Sequence, residues 1–80
     1  MNPAPTFASL MQQAQNAGLP RLEAQMLLLH SAGRPSSDRA WLLAHADDHA
    51  SAALAEHFDQ LCQRRLAGEP VAYLTGQKAF

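Results

Sequence analysis

The sequence predicts an all-α fold, a compact bundle of about five short helices, and three observations carry that reading. Hydrophobic residues make up 48% of the 80 residues and are mostly Ala and Leu, which favour helix over sheet. Val occurs once and Ile is missing, so the chain has little β-branched material for strands. Apolar residues recur at spacings of three and four, and all but one of the runs end at a Gly or Pro, the punctuation of short helices.

The first helix is expected from about Thr6 to Ala17. Thr6 suits an N-cap, Phe7, Leu10, Met11, Ala14 and Ala17 share one face, and Gly18 ends the run. The second begins at Pro20, a favoured first position, and continues to about Ala32, where Gly33 and Pro35 stop it. Its middle, Ala24 and Met26 to Leu29, is apolar nearly all round, which predicts a central post packed on several sides.

Ser36 and Ser37 are expected to cap a short third helix reaching about Ala44, in which Trp41 is the first choice for a core anchor. Deleting a buried aromatic of that size costs about 3 to 5 kcal/mol. The polar stretch His45 to His49 reads as a surface loop. The fourth helix spans about Ser51 to Ala67, with Leu54, Phe58, Leu61, Cys62 and Leu66 inward and Glu56, Asp59, Gln60, Gln63 and Arg64 mostly outward.

The run from Arg64 to Gly76 is the most informative part of the chain. Arg64 and Arg65 place positive charge in the last turn of the fourth helix, where free carbonyls favour cations, and Gly68 supplies the left-handed residue that ends it. Pro70 pushes Glu69 out of helical space and opens a fifth helix, about Pro70 to Leu74, which Gly76 closes.

Arg64-Arg65 followed by Gly68-Glu69-Pro70-Val71-Ala72-Tyr73-Leu74-Thr75-Gly76 closely resembles the end of the N-terminal domain of the HemK/PrmC family, methyltransferases that modify a glutamine of peptide-chain release factors. Looser matches lie in Leu22 to His30 with Gly33, and in Trp41 to His45, in the same order and spacing. The resemblance implies that residues 1–75 form a helical, substrate-docking domain. It implies that 76–80 start a linker to a catalytic methyltransferase domain outside this chain. Gly76-Gln77-Lys78-Ala79-Phe80 accordingly reads as a cut end.

Size and charge narrow the remaining choices. Eighty residues make one small domain, burying only about 60 to 65% of the surface of the unfolded chain. The net charge of −1, with both signs scattered, offers no basic face for phosphates. A helix-turn-helix DNA reader is disfavoured because the third helix offers only Arg39 beside Trp41, Leu42 and Leu43. Met26 to Leu29 is far too short to span a bilayer, and the first residues lack the regions of a signal peptide, so a soluble cytoplasmic protein is expected. One cysteine, Cys62, excludes an internal disulfide and suits a reducing compartment.

No catalytic, cofactor-binding or metal residue is assigned. The family's Asn-Pro-Pro-Tyr motif and its glycine-rich loop for S-adenosylmethionine belong to the second domain, and Asn2-Pro3-Ala4-Pro5 echoes the first only superficially. His45 and His49 have i, i+4 spacing, but a third and fourth ligand are lacking; Cys62 has no CxxC partner, and His30 and His57 lie on separate helices. His30 is expected to serve as a charge at a helix C-terminus.

Candidate partner or interdomain contacts are Arg64, Arg65, Glu69 and Tyr73. The arginines suit helix-end counter-charges better than partner contacts. Tyr73 either packs on the fourth helix with its hydroxyl at the surface or meets the adjoining domain or the release factor. By resemblance, the parent transfers a methyl group from S-adenosylmethionine to the amide nitrogen of the glutamine in the release factor's Gly-Gly-Gln loop. This fragment is then a non-catalytic dock whose partners are the release factor and its own C-terminal methyltransferase domain. The alternative is a free-standing helical protein-interaction module.

Overall fold

A computed structural model describes residues 4–76, which form five helices with no strand among them. The helices are α1 (Phe7–Asn16), α2 (Arg21–Ser31), α3 (Arg39–Ala44), α4 (Ala52–Leu66) and α5 (Val71–Leu74). The all-α bundle read from the sequence is the observed architecture. The expected linker after Gly76, and Asn2-Pro3, lie outside the described residues.

Thr6 caps α1 as expected. Its Oγ1 accepts from the Ser9 amide at 3.1 Å, and the Ser9 hydroxyl returns a bond to the Thr6 carbonyl at 2.9 Å. The next amides are satisfied from far along the chain: Phe7 N–H donates to the Asp48 carbonyl at 3.1 Å and Ala8 N–H to the Ala46 carbonyl at 2.9 Å. Ala50 N–H reaches the Pro5 carbonyl at 2.8 Å, beside an isolated antiparallel bridge between Thr6 and His49. The segment expected to be a surface loop therefore serves as the cap of α1, meeting donors that a helix start leaves free.

Pro20 and Pro70 sit one place earlier than expected. Each keeps an extended ψ, 146° and 145°, while its carbonyl accepts the first helical bond, from Ala24 and Leu74 respectively. They cap α2 and α5 instead of opening them. The start of α3 also differs: Asp38, not Ser36 or Ser37, is the cap, its Oδ1 accepting from the Trp41 amide at 3.4 Å. Arg34 donates to the other carboxylate oxygen at 2.8 Å and fixes the group beneath the helix start.

Three helices end in the same way. After α4, Gly68 N–H bonds the Arg65 carbonyl and Glu69 N–H the Arg64 carbonyl, at 3.0 and 3.1 Å, and the ends of α1 and α2 repeat the pattern around Gly18 and Gly33. This is the paired arrangement in which a left-handed residue lets two amides turn back onto the last carbonyls. Gly68, at φ 110°, holds that position as expected.

The second helix is the post around which the rest assemble, packing against each of the other four. Ala24, Leu27, Leu28 and Leu29 have no exposed surface, and burying each leucine contributes roughly 2 kcal/mol. Phe7, Leu10, Met11 and Ala14 of α1, Leu42 of α3, Phe58, Leu61 and Cys62 of α4 and Leu74 of α5 complete the core. No polar or charged residue is buried there among the described residues.

Four expected core positions lie further out. Trp41 is half-buried and Leu42 takes the inward place, because three consecutive large side chains on a six-residue helix fan over half its circumference. Trp41 instead packs edge-on to Phe7, with ring centroids 5.4 Å apart, and stacks on His45 at 4.5 Å under the Arg34 guanidinium. Leu54 is half-buried and Leu66 is 49% exposed, since the ends of the 15-residue α4 overhang its neighbours. Ala17 is exposed because it is the C-cap of α1, past the last packed turn.

Candidate functional site

The four candidate contact residues cluster where α4 turns into α5, and the geometry follows from Gly68. The left-handed turn folds the chain back so that Glu69 faces the helix it has just left. Arg64 Nε and Nη2 then donate to Glu69 Oε2 and Oε1 at 2.9 and 2.8 Å, a two-pronged pairing that uses the planar fork of the guanidinium. The bond from Arg64 holds the Glu69 carboxyl below its ordinary range, against a smaller opposing effect of desolvation. In return the Glu69 bond raises the already high pKa of Arg64.

Arg65 points the other way. Its Nε donates to Glu23 Oε1 at 2.6 Å, with both side chains about three-quarters buried. Both arginines occupy the last turn of α4, the place expected for helix-end counter-charges, and each is also held by a carboxylate of the chain. Tyr73 is 66% exposed. On this four-residue helix Leu74 takes the buried position, and Tyr73 stands largely in solvent near Arg64 of the fourth helix.

The histidines divide into two arrangements that the sequence does not disclose. His45 and His49 do not share a helix face, since α3 stops at Ala44. His45 Nδ1 pairs with Asp48 Oδ2 at 2.6 Å, and His49 Nδ1 donates to the Ala4 carbonyl at 2.6 Å. His30, in the last turn of α2 as expected, is brought beside His57 with ring centroids 6.1 Å apart. Among the described residues no three His, Cys, Asp or Glu side chains gather in a way that could hold a metal. Cys62 is buried, and burial, with a smaller contribution from Asp59, pushes its thiol up to about 11. A thiol so placed stays protonated and poorly nucleophilic near neutrality.

Sequence reasoning missed a second surface, formed by Leu22, Leu43, Arg21 and Arg39 on the opposite side of α2 and on α3. One signal was present. Trp41, Leu42 and Leu43 are adjacent, and successive residues of a helix diverge by about 100°, so at least one had to face solvent. Leu43 does so, at 69% exposure.

Residues 6–76 match the family described as the PrmC N-terminal domain. The chain belongs to that family. Curated relatives agree with it. Over 63 residues the chain is 56% identical to the release factor glutamine methyltransferase of Bordetella pertussis, a stretch covering 79% of this chain and 22% of that protein. The corresponding protein of Xylella fastidiosa is 45% identical over 60 residues, 75% of this chain and 21% of its own length. A bifunctional methyltransferase of Rickettsia typhi is 44% identical over 62 residues, 78% of this chain and 11% of that protein. This PrmC N-terminal domain thus spans only about a fifth of the release factor methyltransferases it matches. No solved structure matches it. Among the described residues no helix is long and apolar enough to cross a membrane.

Proposed function

We propose that this PrmC N-terminal domain is the non-catalytic docking domain of a cytoplasmic, S-adenosylmethionine-dependent methyltransferase that modifies the Gly-Gly-Gln glutamine of peptide-chain release factors. One observation carries the reading. About three-quarters or more of the chain aligns with release factor glutamine methyltransferases, yet with only about a fifth of their length. The remaining length leaves room for a separate catalytic domain that takes the methyl donor.

A docking domain contributes to catalysis without touching the reacting atoms. Binding energy from a remote surface of a large substrate is converted into positioning of its loop, which lowers the barrier for the bound protein but not for a short peptide. The rigid post of α2, the bundle around it and the exposed Tyr73 at the turn into α5 suit that task. Arg64, Arg65, Glu69 and Tyr73 remain the proposed interdomain or partner contacts, with the two ion pairs holding the turn in shape and Tyr73 presenting the free surface.

The test compares the parent enzyme with and without residues 1–76, on an intact release factor and on a short peptide bearing the Gly-Gly-Gln loop. Removal should depress kcat/KM at least tenfold for the protein and leave the peptide nearly unaffected. Equal losses on both would overturn the docking role. The isolated 80-residue chain should show no S-adenosylmethionine binding by calorimetry; tight binding would overturn the assignment of the donor site to the remainder of the parent.

A further inference from the structure

Arg34, Arg64 and Arg65 each hold a carboxylate of the chain. The guanidiniums of Arg21 and Arg39 have neither an ion pair nor a hydrogen bond among the described residues. Both line one shallow depression, together with Leu22, Gln25 and Leu43. Leu22 and Leu43 are 54% and 69% exposed. Through Arg21, Gln25 and Leu43 the depression continues into a groove walled by Phe7, Met11 and Leu42. Among the described residues no carboxylate lines either part.

The positions of the two arginines sharpen the point. Arg21 is the first residue of α2 and Arg39 the first of α3. The positive end of the helix dipole disfavours a cation at such a position. Neither charge therefore serves its own helix, and neither is neutralised by a neighbour. Two uncompensated guanidiniums beside two uncovered leucines have the make-up of an interface waiting for its other half, with an apolar centre and a charged rim.

We infer that the groove between α1, α2 and α3 receives an acidic segment of a partner protein that carries large apolar side chains. Its carboxylates meet Arg21 and Arg39 in the planar pairing that guanidinium favours, and its apolar residues cover Leu22 and Leu43. Charge complementarity selects this occupant: among the described residues the groove is lined by cations and by no anion. A nucleic acid fits less well, because two arginines neutralise too few phosphates to hold it and Phe7 in the groove wall is too buried to stack on bases. The identity of the partner as the release factor rests on the docking reading above; the chemistry of the occupant rests on the groove alone.

The test is a titration of the isotope-labelled 80-residue chain with purified release factor, reading amide broadening by NMR and Kd by calorimetry. The variants are R21E/R39E and, separately, L22A/L43A. An acidic residue at the first position of a helix is favoured by the dipole, so R21E/R39E should fold at least as well as the parent chain, and a loss of binding cannot be ascribed to unfolding. Broadening should centre on Arg21 to Gln25 and Arg39 to Leu43, Kd should weaken at least tenfold in R21E/R39E, and added salt should weaken the parent interaction. Binding that broadens other residues, or a Kd unchanged in both variants, overturns the groove and leaves the docking reading standing. Failure of the release factor to bind the chain at all overturns both.

Discussion

Arg65 Nε lies 2.6 Å from Glu23 Oε1, tying the last turn of α4 to the first turn of α2 across 42 residues of chain. The pair does three things at once. It places a cation at a helix C-terminus and an anion at a helix N-terminus, each where the dipole favours it, and it fixes the two helices in register. Arg65→Ala and Glu23→Ala should each destabilise the domain by about 1 kcal/mol, and the double variant should lose less than the sum. Thermal melts of all four proteins check this, and strictly additive shifts would mean that the pair contributes nothing.

Trp41 and Leu28 exchange the ranking that size alone suggests. Leu28 is fully buried on the central helix while Trp41 is half-buried, so Leu28→Ala should cost about 3 to 4 kcal/mol and Trp41→Ala about 2 kcal/mol. Urea unfolding of the two variants decides the order. The edge contact with Phe7 and the stacking on His45 account for most of what Trp41→Ala loses.

Gly68→Ala should destabilise by about 1 kcal/mol, through backbone conformation alone. At φ 110° an L side chain is strained, yet an added Cβ meets no atom within 4 Å. Urea midpoints should therefore shift by similar amounts for Ala and Ser at this position. A much larger loss for Ser would reveal a steric neighbour.

The Arg64–Glu69 pair makes a pH-dependent contribution whose sign is fixed. The folded-state pKa of Glu69 is lowered by its bond to Arg64, so the unfolded chain binds the proton more readily. The stabilisation is present above the ordinary carboxylate pKa and is lost as pH falls through the lowered value. Both side chains are exposed, and the effect should be small and weakened by salt. The stability difference between the parent chain and Glu69→Gln, followed from pH 7 to pH 2, should shrink towards zero on the acid side. A difference that persists in acid would mean the charge is not responsible.

Cys62 should resist thiol reagents in the folded chain at pH 8 and react at once in urea, because burial raises its pKa to about 11. The sign is opposite to that of Glu69. The unfolded thiol ionises first as pH rises, so stability should decline above the ordinary thiol pKa. Rapid labelling under native conditions would show that the site opens locally.

Much of this was legible in the chain, and the boundary has physical causes. Helix order, the Gly68 turn, the Thr6 cap and the apolar middle of α2 follow from rules that act within a few residues, and the sequence displays them directly. What was missed depends on partners distant along the chain. The capping of α1 by carbonyls of Ala46 and Asp48, the meeting of His30 with His57, and the Arg65–Glu23 tie have no local signature. Trp41 packs against the core from its edge, because bulk does not set depth: a short helix offers one inward position, and Leu42 fills it. The motif holds the candidate contacts Arg64, Arg65, Glu69 and Tyr73 together in sequence, while the pairing of the first three with carboxylate or guanidinium partners is a property of the fold.

Because α2 touches every other helix, no subset of the bundle can keep its interior dry once α2 leaves. Unfolding should then be a single concerted event, and the backbone amides of Leu27, Leu28 and Leu29 should trade their hydrogens for deuterium only at the rate at which the whole molecule comes apart. A domain built this way responds to a tug at any one helix as a unit, passing the load to its centre without letting one corner fray.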